Sequence, residues 1–186
     1  MPRFARGEGG GPLVENRGNR LLITIEPITH DNVLLFKSVR LQALQDSPTA
    51  FGSTYAREVG FPESEWLARV ERWSGEKGVG FLAINGEAAC GIAGALLDLE
   101  DASRAQLVSM WTAPSHRRKG VGRQLVNAVL DWAGQRQVKT LLLMVTSTNA
   151  SAIRFYERLG FAKTGRTEPY PNDSAILEYE MAQGVS

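Results

Sequence analysis

Between Met110 and Leu125 the chain reads Met-Trp-Thr-Ala-Pro-Ser-His-Arg-Arg-Lys-Gly-Val-Gly-Arg-Gln-Leu. A strand runs out at Thr112, Pro114 prevents its continuation, and a basic, glycine-bearing turn opens straight into a helix. The first N–H groups of a helix have no partner within it, and the helix dipole favours an anion there. Gly120, Val121 and Gly122 bring bare main chain to that point, and Arg117, Arg118, Lys119 and Arg123 add positive charge. Together these features describe a pyrophosphate seat. It is not a nucleoside-triphosphate loop, because the Gly-Lys-Ser/Thr ending is absent, and it is not GxGxxG, because position 125 is Leu. Taken alone, the turn is equally compatible with a basic helix start after an ordinary loop.

A second stretch, Asn149-Ala-Ser-Ala-Ile-Arg-Phe-Tyr-Glu-Arg-Leu-Gly-Phe, separates those readings. The two blocks together resemble the GCN5-related N-acetyltransferases (GNAT). That family's cofactor loop, Arg/Gln-x-x-Gly-x-Gly/Ala, is matched by Arg117, Gly120 and Gly122. Its following strand, Asn and helix ending in Tyr-x-x-x-Gly-Phe are matched by Asn149, Tyr156, Gly160 and Phe161. The similarity extends over about Leu21 to Met181. It implies an α+β fold: a splayed, mixed but mostly antiparallel sheet flanked by about four helices, with acetyl-CoA wedged between the strands near 105–112 and 140–146. The main chain of Met110, Trp111 and Thr112 would bond the pantetheine arm, which the Asn149 side chain would also hold. Asn149 equally suits the N-cap of its helix. Tyr156 would protonate the departing thiolate, a donor that the chemistry favours because a thiol leaves more easily when its charge is quenched as it forms. On helical spacing alone Tyr156 reads as a core aromatic beside Phe155 and Phe161.

The family pattern thins at the general base. Where some members carry a glutamate, Gln106 and Met144 stand here, and neither accepts a proton at neutral pH. Asp98, Glu100, Glu178, Glu180 and Glu58 are the candidate bases, with a water chain to solvent as the alternative. The acceptor pocket is expected between the first two helices and the final strands, lined by Phe51, Ser53, Tyr55 and Tyr170. The implied reaction is acetyl transfer to a primary amine of a small molecule. An N-terminus or lysine of a protein, or CoA binding without catalysis, are the alternatives.

The elements that must position these groups follow from local pattern. Leu21 to Pro27 alternates as a strand. A helix follows a cap at Thr29 or Asp31, with Val33, Leu34, Leu35, Val39, Leu41 and Leu44 at helical spacing, and Ser47-Pro48 ends it. The segment 49–58 reads as a polar connection to a helix over about 62–73, on which Trp66, Leu67 and Val70 share a face. Asn85-Gly86 predicts a tight hairpin between strands over 78–84 and 88–97, and a strand over 105–112 completes the meander. A helix over 120–136, a strand over 140–146 apolar on both faces, a helix over 149–159 and strands over 162–167 and 175–181 complete the order β-α-α-β-β-β-α-β-α-β-β.

The bulk composition narrows the partners. The 186 residues fit one domain over 20–186. The net charge of +1 removes the argument for nucleic acid or an anionic membrane surface. No apolar run is long enough to span a bilayer, and the N-terminus shows no apolar signal region, so the chain reads as cytoplasmic. The single cysteine, Cys90, excludes an internal disulfide and a thiolate-rich zinc site, and it reads as a small core residue. His30 and His116 lack metal-ligand spacing, and no metal is expected. Residues 1–19, rich in Gly, Arg and Asn, read as a mobile tail. A homodimer is compatible with this reading.

Overall fold

The computed structural model describes residues 22–185; the tail expected over 1–19 lies outside them. In chain order the elements are β1 (Ile23–Pro27), α1 (Val33–Asp46), α2 (Tyr55–Glu58), α3 (Glu63–Ser74), β2 (Gly78–Asn85), β3 (Ala88–Leu97), β4 (Arg104–Thr112), α4 (Val121–Gln135), β5 (Thr140–Thr146), α5 (Ala150–Arg158), β6 (Ala162–Tyr170) and β7 (Asp173–Gly184). The expected order holds with one addition. The supposed polar connection contains the single turn α2, nucleated where the Thr54 hydroxyl accepts from the Arg57 N–H at 3.3 Å. The last two strands also run longer than their apolar residues indicated.

The seven strands form one sheet in the order β1-β2-β3-β4-β5-β7-β6. Every neighbouring pair is antiparallel except β4 and β5. Gly86 takes φ 63° in the Asn85-Gly86 turn between β2 and β3, as that turn chemistry requires. On one face α4 and α5 lay Leu125, Val126, Val129 and Ile153 against Leu107, Leu141, Leu143 and Val145. On the other, α1 and α3 lay Phe36, Val39, Leu44, Trp66 and Val70 against Leu82, Ile84, Ile92 and Trp111. Burial of these side chains removes apolar area from water and is the main stabilising term. Trp73 sits flat against the sheet because residue 94 is Gly; a Cβ there would lie 1.5 Å from its ring.

The face that α1 buries differs from the spacing-based expectation. Leu34 is 78% exposed, whereas Phe36, Val39, Arg40, Ala43 and Leu44 are buried. An arginine therefore occupies the middle of the buried stripe.

What positions the site is the junction of β4 and β5. The two strands pair over only three positions, Arg104↔Thr140 to Gln106↔Leu142, and then part. In β4 three residue steps from Val108 to Trp111 face two steps from Gly94 to Ile92 in β3, so β4 carries an extra residue. Ser109 within it has φ 56°. Such a bulge bends its strand, here beside the opening between β4 and β5.

Candidate active site

The glycine turn enters α4 as expected. Gly120 is the residue before the helix and takes φ 85°, a left-handed conformation that glycine adopts without penalty. The first α4 bond runs from the Gln124 N–H to the Gly120 carbonyl at 3.1 Å. The N–H groups of Val121, Gly122 and Arg123 thus have no carbonyl one turn earlier to bond, and they mark the positive end of the helix dipole. Gly122 has a further reason to be small: a Cβ there would come within 3.0 Å of the Phe155 ring and 3.1 Å of the Met110 methyl.

The basic residues divide into two sets. Arg117 folds back: its Nε donates to the Thr112 carbonyl at 2.9 Å and its guanidinium pairs with Asp46. Asp46 also accepts from Trp111 Nε1 at 2.9 Å. Burial opposes the Asp46 carboxylate, but hydrogen bonds from Trp111, Ser47 and Arg117, with the guanidinium charge, hold its carboxyl below the ordinary range. Arg117 therefore fastens the turn to the end of α1. Arg118, Lys119 and Arg123 are exposed and have no ion-pair partner among the described residues, so their charge is available to an anion.

The gap between β4 and β5 opens into a cavity of about 390 Å³. Gln106 to Met110 line one wall, Leu143 to Thr146 the facing wall, Asn149 and Tyr156 the end nearest α5, and Thr49 to Gly52 the α1 side. Asn149 caps α5, accepting from the Ala152 N–H at 3.0 Å. Its amide NH₂ is left over for the cavity, so the capping and binding roles are compatible. Tyr156 is 8% exposed and packs edge-on against Phe161. Burial alone raises its phenol well above the ordinary value, so it rests protonated and is available as a proton donor. Of the three residues expected along the pantetheine, Met110 lines the cavity. Trp111 turns its ring into the α1 core, and Thr112 runs on to the glycine turn.

Several expected site residues lie elsewhere. Phe51 lines the cavity; Ser53, Tyr55 and Tyr170 do not. Tyr170 is a latch: its hydroxyl donates to the carbonyls of Phe51 at 2.7 Å and Pro48 at 3.1 Å, and accepts from Asn172 at 3.0 Å. Glu58 is excluded as a base, being fully buried and held by Arg40 through two bonds of 2.7 and 3.0 Å and by Arg69 at 3.1 Å. Burial works against its charge, but the bonds and charge of Arg40, with smaller help from Ser53 and Arg69, outweigh this and keep its carboxyl below the ordinary 4.5. Asp98 accepts from the N–H groups of Glu100 and Asp101 in the β3–β4 turn, at the end of β4 away from the opening. Glu180 is taken by Thr164 at 2.9 Å and Arg166 at 3.5 Å. Gln106 and Met144 both line the cavity and offer no carboxylate; Glu168 and Glu178 do.

The remaining singled-out side chains serve locally. His116 bonds Asn85 at 3.0 Å and His30 pairs with Glu71 at 3.0 Å. Cys90 is buried on β3, where burial pushes its thiol up. Sequence reasoning missed Arg40, which donates through Nη1 to the Ser109 hydroxyl at 3.2 Å in the β4 bulge and lies 4.7 Å over the Phe51 ring. Its signal was there to read, since it falls four residues after Phe36 on an apolar helix face.

A sheet that splays between β4 and β5 beside a bulged strand, with the free N–H groups of the α4 start close to Met110 and a buried phenol on the cavity wall, suits an acyl-CoA thioester. Residues 41–161 match the model of the acetyltransferase (GNAT) family. The chain belongs to that family and is an acyl-CoA-dependent N-acetyltransferase. It is 39% identical over 129 residues to the [ribosomal protein bS18]-alanine N-acetyltransferase of Escherichia coli K12, covering 68% of this chain and 82% of that enzyme. It is 38% identical over 81 residues to the streptothricin acetyltransferase of Streptomyces lavendulae, covering 44% of this chain and 40% of that enzyme's length. Two solved structures share the fold. The Escherichia coli ribosomal-protein-S18-alanine N-acetyltransferase aligns with a TM-score of 0.64 at 24% identity over 89% of this chain and 95% of its own. A GNAT acetyltransferase of Streptococcus pneumoniae aligns with 0.73 at 18% identity over 88% and 99%.

Proposed function

We propose that the chain transfers the acetyl group of acetyl-CoA to a primary amine of a small molecule. The supporting observation is the closeness of three features: β4 and β5 part after three paired positions, the gap holds a cavity of about 390 Å³ lined by Met110, and a Cβ on Gly122 at the start of α4 would come within 3.1 Å of the Met110 methyl. The parts fit the cosubstrate. The first turn of α4, with Arg118, Lys119 and Arg123, suits a pyrophosphate. The parted edges of β4 and β5 suit an extended, amide-bearing arm, which can bond them as an added strand would. The Asn149 amide adds a side-chain donor at the same edge.

Bound acetyl-CoA supplies the activated acetyl thioester. The protein holds acetyl group and amine side by side, which removes the entropic cost of bringing them together. Main-chain N–H groups at the bulge polarise the acetyl oxygen as charge develops on it; one such donor is typically worth about 10²–10³ in rate. Tyr156 delivers its proton to sulfur as the C–S bond breaks.

The size of the cavity and its cover of Thr49 to Gly52 and Pro171 favour a small acceptor. A second reading, the α-amine of a polypeptide, is favoured by the similarity to the ribosomal-protein alanine enzyme over 68% of the chain. Release of CoA thiol, measured with polyamines, amino acids, aminoglycosides and alanyl peptides in parallel, separates them. Turnover of a small amine at least tenfold better than of any peptide supports the first reading. The reverse order replaces it with the second, and thiol release independent of every amine refutes both.

A further inference from the structure

We propose that Glu178 on β7 is the general base for the acceptor amine, and that Glu168 beside it makes the cavity selective for cationic acceptors. This rests on the small-amine reading above.

The register of three strands puts one row of side chains on the cavity wall. Thr146 of β5 lies opposite Glu178 of β7, and Glu178 lies opposite Glu168 of β6. All three line the cavity that holds Tyr156. Two carboxylates directly across an antiparallel pair repel one another; Arg166 compensates Glu168, which leaves Glu178 as the carboxylate open to a cation in the cavity. A second observation points the same way. Thr146 is 3% exposed, and its hydroxyl has no hydrogen-bond partner among the described residues. A polar atom buried against an opening without a partner is uncommon in a folded protein, and an ammonium or amine at this spot would supply one.

The surroundings single out Glu178. Glu168 is engaged by Arg166 from its own strand. Glu180, two residues along the same strand, is engaged by Thr164 and Arg166 and does not line the cavity. Arg40, the cationic side chain on the α1 wall, is committed to Glu58. From β5 the cavity receives Met144 and Thr146, which do not titrate at these pH values, and from α5 it receives Tyr156, which stays protonated. Glu178 has no hydrogen-bond or ion-pair partner among the described residues. Burial, then the charge of Glu168, raises its carboxyl above the ordinary value, which brings it closer to the range in which a base works near neutrality.

The proton balance closes on these groups. Glu178 takes one proton from the ammonium and passes it to solvent. The freed lone pair forms the C–N bond to the acetyl carbon, the C–S bond breaks with its electron pair on sulfur, and Tyr156 protonates that sulfur. The second nitrogen proton, shed as the amide forms, restores the tyrosine. One acetylation therefore releases one proton.

The test compares wild type, Glu178→Gln and Glu178→Ala by CoA-thiol release. The acceptors are putrescine, butylamine and γ-aminobutyrate, which share a four-carbon chain and differ in charge, and an alanyl peptide. Acetyl-CoA affinity is measured by calorimetry. The expected wild-type order in kcat/KM is putrescine, butylamine, γ-aminobutyrate, with at least tenfold between first and last. Glu178→Gln should lose at least a hundredfold on whichever amine the wild type uses, keep its acetyl-CoA affinity, and lose the acid limb of the kcat/KM profile. Added formate should restore part of the activity of Glu178→Ala, which a merely structural role would not allow. Glu178→Gln within threefold of wild type, or with its acid limb intact, overturns the base assignment. Equal use of putrescine and γ-aminobutyrate overturns the selectivity. If only the peptide is acetylated, the small-amine reading and the selectivity fail, and the base assignment stands or falls on the same variant with that peptide.

Discussion

Replacing Glu58 by glutamine should separate the charge network under the site from the chemistry above it. Glu58 is fully buried and accepts three guanidinium bonds, at 2.7, 3.0 and 3.1 Å, from Arg40 and Arg69. Removing one partner of a buried ion pair costs about 3–5 kcal/mol, because the other charge is left uncompensated. The amide keeps the shape and one acceptor oxygen, and Arg69 is partly exposed, so the lower end, about 3 kcal/mol, is expected. For a chain of this size that corresponds to a Tm lower by about 6–12 °C. The pH dependence follows from the lowered carboxyl. A folded value below the ordinary 4.5 means that the stabilisation is complete above 4.5 and is lost as pH falls through the folded value. Wild type and variant should therefore differ most at neutral pH and converge on acidification below 4.5. Because Arg40 also holds Ser109 in the β4 bulge at 3.2 Å, kcat should fall as the bulge loosens, even at temperatures where the variant is folded. Urea unfolding across this pH range, with thiol release alongside, measures both effects. A neutral-pH loss below about 1 kcal/mol, the size of an ordinary hydrogen bond, or a gap that does not close on acidification, would refute the reasoning.

Three further substitutions address the site directly. Gly120→Asp should abolish acetyl-CoA binding by calorimetry while the protein stays folded, because it forces a side chain to φ 85° at about 1–2 kcal/mol and sets a like charge at the anion seat, with no packing atom within 4 Å to confuse the result. Tyr156→Phe keeps the ring against Phe155 and Phe161, so Tm should hardly move while turnover falls about a hundred- to ten-thousand-fold; full activity would defeat the proton-donor role. Tyr170→Phe removes the latch on Pro48 and Phe51 and should cost about 1–3 kcal/mol in unfolding free energy, raising KM for the acceptor and leaving acetyl-CoA affinity unchanged.

Where local structure depends on neighbours in the chain, the sequence was sufficient. The strand end at Thr112, the glycine turn and the start of α4 lie within a dozen residues, and each is a local backbone preference. The Asn85-Gly86 hairpin and the alternation of strand and helix were legible for the same reason, whereas Asn149, Tyr156, Gly160 and Phe161 were singled out by their resemblance to a family motif, since helical spacing alone reads Tyr156 as core. The roles of charged residues were not. Glu58 looked like any surface glutamate until folding brought Arg40, eighteen positions away, and Arg69 onto its two oxygens. Tyr170 looked like an acceptor contact until its hydroxyl met carbonyls more than a hundred residues earlier in the chain. The row Thr146–Glu178–Glu168 depends on the pairing of β5, β7 and β6, and β6 pairs with β7 through register shifts. A slip of one residue turns every side chain of a strand to the opposite face. Which carboxylate faces the cavity was therefore decided by strand register, a property of the packed sheet rather than of any single segment.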